Sequence, residues 1–232
     1  VTIGPDHAAR LVPERRALAD DVYDVILGLL MDHRIEPGAK VSIDGIARDF
    51  DVSPTPVREA LARLESEGLV VKRPLRGYTA APLLDAEGLR KLFEMRRILE
   101  PAAAGLAAGR MTPATVASLK ALADDMRSSA SSSQDEGSRY QDYRDFADQD
   151  AHFHRIIAEH SGNDLLAEAV VRLRSHLHLY RLYFKHGIEQ DTSGEHEAVL
   201  DALRRRDADA ATAAMLDHIE HSYARMAPHV DD

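Results

Sequence analysis

The chain has 232 residues, 44% of them hydrophobic and 29% charged, a balance that fits a soluble globular protein and excludes a disordered one. No apolar run is long enough to cross a bilayer, and the absence of cysteine excludes disulfides and thiolate metal sites. A net charge of −10 argues against nucleic acid as a partner, but residues 83–232 carry −8 of it and residues 1–82 only −2.

Residues 1–14 contain Gly4, Pro5 and Pro13 without periodicity and read as a tail. From Arg15, the apolar residues Leu18, Val22, Val25, Ile26 and Leu29 recur at helical spacing until the breaker pair Pro37-Gly38. A short second helix fits residues 43–50. Asp51-Val52-Ser53 leads into a third, with Ser53 as the expected N-cap. Pro54 and Pro56 fall in its first turn, where amide protons have no intrahelical acceptor. Val57, Ala60, Leu61 and Leu64 form its buried stripe, and Gly68 ends it. Residues 69–73 and 78–80 flank the turn Pro74-Leu75-Arg76-Gly77 as a hairpin.

Three helices and a hairpin over residues 15–82 suit a winged helix-turn-helix, although the same order also describes any small domain on which Arg58 and Arg63 are merely solvated. A helix that enters the major groove needs short polar residues and an arginine clear of its buried stripe. Thr55, Arg58 and Arg63 lie off that stripe, and Ser53 sits where free amides suit a phosphate. Arg58 can read a guanine edge in bidentate fashion, which discriminates bases by about 1–3 kcal/mol. At the wing tip, Arg76 places a cation near the minor groove or backbone, and Gly77 permits close approach.

After Pro82 the pattern is helical throughout, with six expected segments over 85–109, 113–132, 138–160, 165–185, 194–206 and 208–226. The fold class is mainly α: the winged module, then an antiparallel all-α bundle of about six helices over residues 83–228. Asp150 and His154 lie four apart on one helix face, His196 opens a later helix, and His218 lies on the last. Three neutral imidazoles and a carboxylate suit Zn, Ni or Mn. In a chain with 12 histidines, such spacing equally describes a surface pair or a satisfied core pair. A metal-dependent hydrolase is the rival reading. It needs a metal-bound water and a base beside it, and neither an H-E-x-x-H string nor a glutamate with a claim as base occurs.

The run from Asp51 to Leu61, followed by Leu64-Glu65, Glu67-Gly68-Leu69-Val70 and Arg76-Gly77 and preceded by Pro37-Gly38, resembles the GntR family of transcription regulators. Pro54 stands where many relatives carry arginine, so one phosphate or base contact is expected to be missing. The run Met95-Arg96-Arg97-Ile98-Leu99-Glu100-Pro101 looks like the opening helix of the FCD ligand-binding domain of the FadR-like branch. Asp150-Ala151-His152-Phe153-His154, Ser161-Gly162-Asn163, Glu195-His196 and Met215-Leu216-Asp217-His218 follow its later signatures in order. Six helices rather than seven fit the branch with the shorter linker.

The resemblance implies a cytoplasmic homodimer that binds a double-stranded DNA operator, repressing by family default, with no membrane partner. It implies a divalent transition metal on Asp150, His154, His196 and His218, and a small carboxylate effector that completes its coordination. Arg96 matches an arginine of the opening helix and can pair either with that effector or with a neighbouring acid. His176, His178, His186 and His221 fall off the family's positions and read as surface or pocket-lining residues.

Overall fold

The computed structural model describes residues 13–132, 136–183 and 192–230. Most of the expected tail and His186 lie outside them. Two compact units divide between Leu83 and Leu84.

The first unit contains α1 (Pro13–Met31), β1 (Lys40–Val41), α2 (Ile43–Asp49), α3 (Pro54–Ser66), β2 (Val70–Arg73) and β3 (Gly77–Ala80). The hairpin gains a third strand, giving the antiparallel order β1-β3-β2 with Lys40 opposite Thr79 and Arg73 opposite Gly77. Gly38 explains the addition. It adopts φ +80°, a region open to glycine, and its amide donates to the Ala80 carbonyl at 3.1 Å. Pro37-Gly38 therefore both ends a helical pattern and turns the chain onto the sheet. Ser42 caps α2 by accepting from the Gly45 amide at 3.1 Å. Val22, Ile26 and Leu30 of α1 bury against Val57, Leu61 and Leu64 of α3, with Leu69 and Val70 below.

The second unit contains α4 (Ala86–Ala108), α5 (Pro113–Ser132), α6 (Glu136–Glu159), α7 (Asp164–Arg172), α8 (Ser175–Tyr183), α9 (Thr192–Arg205) and α10 (Ala208–Met226), closed by a 3-10 turn over Ala227–His229. Seven helices thus stand among the described residues where six were expected. The helix expected over 165–185 breaks after Arg172, where Leu173 bonds back to two carbonyls and Arg174 adopts φ +48°. A left-handed residue after the last turn is a common helix stop, but glycine or asparagine normally announces it, and Leu173-Arg174-Ser175 does not. Side chains from six helices build the core, among them Phe93, Leu119, Phe153, Leu179, Val199, Leu203, Met215 and Ile219. The helix α4 packs along α10, where a Cβ on Gly105 would sit 2.4 Å from Thr212 Oγ1, so glycine permits the approach. Among the described residues no helix is long and apolar enough to cross a membrane.

Candidate metal centre and nucleic-acid interface

In the first unit, α3 buries Pro56, Val57, Ala60, Leu61 and Leu64 and exposes Thr55, Arg58 and Ala62. Ser53 holds the N-cap position in extended backbone, but its hydroxyl makes no capping bond and Pro54 follows at the first turn. Its hydroxyl is thus not committed to the helix. Arg58 is exposed and has no ion pair among the described residues.

Arg63 is likewise off the buried stripe but lies on another side of α3. At 100° per residue it lies about 140° around the helix from Arg58. Its guanidinium stacks 3.7 Å from the Tyr23 ring centre, with Nη1 3.3 Å from Asp20 Oδ1 and Nε 3.6 Å from Glu67 Oε1. Tyr23 in turn donates its hydroxyl to Glu67 Oε2 at 2.6 Å. Arg63 therefore fastens α3 to α1.

At the wing, Arg76 N donates to Arg73 O at 3.0 Å. Leu75 and Gly77 take φ +62° and +80°, and Arg76 and Gly77 are exposed.

In the second unit, α6 carries Asp150 one turn before His154, α9 carries His196 in its first turns, and α10 carries His218. One ligand atom from each of these four lies within 4.8 Å of all the others. Asp150 Oδ1 is 3.0 Å from His196 Nε2 and 3.8 Å from His154 Nε2. The His218 ring centre lies 4.7 Å from that of His196 and 5.0 Å from that of His154. All three imidazoles are buried. Asp150 Oδ1, His154 Nε2 and His196 Nε2 are buried without a hydrogen-bond partner. Buried polar atoms left unpaired are costly, and a cation bound by all three satisfies them together. The residues present fit a divalent metal.

A second layer of charge aims the ligands. Glu100 Oε2 lies 2.6 Å from His154 Nδ1 and is gripped by Arg96, whose Nε and Nη2 donate at 2.7 and 3.3 Å. Glu195 accepts from His218 Nδ1 at 2.9 Å and from Arg225 at 2.6 and 2.9 Å. His176 Nδ1 lies 2.9 Å from Asp150 Oδ2. Each arrangement occupies one atom of the ligand and leaves the other for the common centre, as outer partners of metal-bound histidines commonly do.

The electrostatics follow. Burial pulls the Glu100 carboxyl up, but Arg96 and His154 outweigh it and hold it below its ordinary value. Burial likewise raises Asp150, and a hydrogen bond from His176 and the adjoining His196 imidazole hold it well below the usual range. Glu195, lifted by burial, is brought down to about 2 by His218 and Arg225. Burial lowers His154 against the pull of Glu100, and it lowers His218 to about 3 against the pull of Glu195. Neutral imidazoles beside ionised carboxylates are the ligand state a metal requires.

The geometry gives Arg96 the second of its two expected roles. It is buried, its Nε and Nη2 engage Glu100, and it acts on the centre through His154. Of the remaining histidines, His176 lines the cluster and His221 is on the surface, as expected. His176 is tied to Asp150, and the exposed His221 lies 3.3 Å from Glu195 Oε1. Sequence reasoning missed Glu100, Glu195, Arg225 and the tie of His176 to Asp150. Glu195 directly precedes a predicted ligand, which was the available signal.

Comparison with known proteins agrees with this architecture. Residues 18–79 match the family model described as bacterial regulatory proteins, gntR family, and residues 91–221 match that of the FCD domain. The HTH-type transcriptional regulator LutR of Bacillus subtilis is 29% identical, covering 82% of this chain and 93% of its own length. The Uxu operon transcriptional regulator of Escherichia coli is 29% identical, covering 89% and 85%. Among solved structures, E. coli McbR/YncC shares the fold with a TM-score of 0.71 and 22% identity over 90% of this chain and 96% of its own. The matched families and relatives are transcription regulators rather than enzymes, which removes the hydrolase reading. This chain belongs to the GntR family of bacterial transcription regulators and carries an FCD domain behind its winged helix-turn-helix.

Proposed function

We propose that the chain is a homodimeric repressor whose operator affinity is set by a small carboxylate bound at a divalent metal on Asp150, His154, His196 and His218. The observation that carries this reading is the convergence of those four ligand atoms, with three buried polar atoms otherwise unpaired. A divalent ion there supplies a Lewis-acidic centre for carboxylate oxygens. The protein's part is to hold the ligands. Glu100 and Glu195 fix two imidazoles, His176 fixes the carboxylate, and burial strengthens every charge interaction in the site. Three imidazoles and one carboxylate suit Zn, Ni or Mn.

In the first unit, Ser53, Thr55 and Arg58 on the start of α3, with Arg76 and Gly77 on the wing, contact the duplex. Arg58 reads base edges and the others position the module on the backbone. The E. coli relative named HTH-type transcriptional repressor RspR, 26% identical over 86% of this chain, supports repression as the sign of control. Effector binding favours one relative arrangement of the two DNA-binding modules, and coupling of this kind is typically worth about 1–3 kcal/mol.

The test is operator binding by metal-loaded protein, measured by fluorescence anisotropy with and without a panel of mono-, di- and tricarboxylates. At least one is expected to weaken binding about fivefold or more. The double substitution His154→Ala, His196→Ala is expected to leave operator binding in place and abolish that response. A response that survives the double substitution removes the metal from the mechanism.

A further inference from the structure

The wing turn carries a residue that its backbone does not favour. Arg76 N donates to Arg73 O at 3.0 Å, so Arg73 to Arg76 close a four-residue turn with Pro74 second and Leu75 third. Leu75 takes φ +62°. Proline second and a left-handed residue third is the pattern of a type II turn, whose third position suits glycine or asparagine. A side chain with a Cβ is strained there, and Leu75 recovers nothing by packing. It is 108% exposed, the most of the large apolar side chains described. Folding thus accounts for neither the residue type nor its conformation, and local strain of this kind gathers where a protein binds. The surroundings indicate what the tip meets. Lys72, Arg73 and Arg76 flank it and are exposed, and Arg73 and Arg76 have no ion pair among the described residues. No Asp or Glu occurs from Gly68 to Leu84.

We infer that Leu75 is a wedge: on the operator it enters the minor groove and parts the base step beneath it, while Arg73 and Arg76 take the flanking phosphates. The inference rests on the operator-binding reading above and goes beyond it, because the wing then acts by deforming the duplex. An apolar tip among cations without acidic neighbours matches a surface that is anionic along its edges and apolar between them. Phosphate rails on either side of stacked bases are such a surface. Pro74 fixes its own φ and holds the turn, so little of the tip is left to be ordered on binding. Pyrimidine–purine steps unstack most readily. The wing therefore selects such a step through its deformability, without hydrogen bonds to its bases.

The experiment uses the full chain and a duplex that the wild-type protein selects from a random library. A fluorescent adenine analogue, quenched by stacking, replaces each adenine of the half-site in turn. Wild-type protein is expected to raise the emission at one step, and that step to be TA or CA/TG. Leu75→Gly and Leu75→Asn suit the turn and are expected to keep the wild-type circular dichroism. Both are expected to abolish the rise and to weaken binding about tenfold. Leu75→Met keeps an apolar tip and is expected to retain the rise and the affinity. Bases that stay stacked under wild-type protein overturn the wedge, and so does a Leu75→Gly protein that binds and unstacks as the wild type does. A wild-type chain that selects no duplex overturns the operator reading itself, and this inference with it. Leu75-dependent binding to phosphatidylglycerol vesicles, with duplex binding unchanged in Leu75→Gly, assigns the tip to a membrane surface and likewise overturns the inference.

Discussion

His218 shows how burial prepares a candidate ligand. An imidazole in the unfolded chain titrates near 6.5, whereas burial and the neighbouring His196 and His154, opposed by Glu195, bring the folded group to about 3. Between those values the unfolded chain binds a proton that the folded chain refuses, so stability falls as pH drops through that window and this group adds no further loss below about 3. His154 acts in the same direction. The melting temperature of metal-free protein is therefore expected to decline from about pH 6.5 downward, and His218→Asn is expected to flatten that decline. A wild-type profile level from pH 7 to 4.5 contradicts the assignment. The two arginines of α3 separate by the same kind of reasoning. Arg58→Ala is expected to cost about 1–3 kcal/mol of operator binding and relax base preference at one position. Arg63→Ala is expected to lower thermal stability and leave base preference intact, because its partners Tyr23, Asp20 and Glu67 lie within the protein. At this scale the four residues that converge on the candidate centre were legible, because Asp-x-x-x-His spacing and the later histidines follow family signatures. Their outer partners were not. Glu100 and Arg225 are ordinary helix residues, and only folding brings them to His154 and Glu195.

Among the elements, those with a chemical marker were legible and those without one were not. Asp85, Asn163 and Asp207 each accept a hydrogen bond from an amide in the first turn of α4, α7 and α10, and each helix starts where its capping residue predicts. The break between α7 and α8 had no such marker. Leu173 and Arg174 favour helix, so their residue types do not announce the left-handed Arg174. Strand β1 was hidden for another reason: two residues carry no period, and its pairing is set by Gly38 and β3. The wing turn offers an element-scale prediction. Leu75 sits fully exposed at φ +62°, a region that costs residues with a Cβ about 1–2 kcal/mol. Leu75→Gly is expected to stabilise the first unit by about 1 kcal/mol in denaturant titration. Destabilisation instead would show that Leu75 contributes packing that its exposure denies.

For the whole molecule, the division of charge in the sequence anticipates the division of labour. The basic residues of 53–82 lie on α3 and the wing, and most of the net negative charge lies in the helical unit that holds the candidate metal centre. On the proposed function the two units carry two separate chemistries, phosphate and base contact in one and cation binding in the other. A sequence scan finds both because each has a motif. The central claim concerns the helical unit and is tested most directly by isothermal titration of metal-stripped protein with zinc, with elemental analysis of the product. The account predicts one tightly bound ion per chain, lost in the His154→Ala, His196→Ala protein. A wild-type chain that takes up no ion, or one that binds it as tightly without those two histidines, contradicts it.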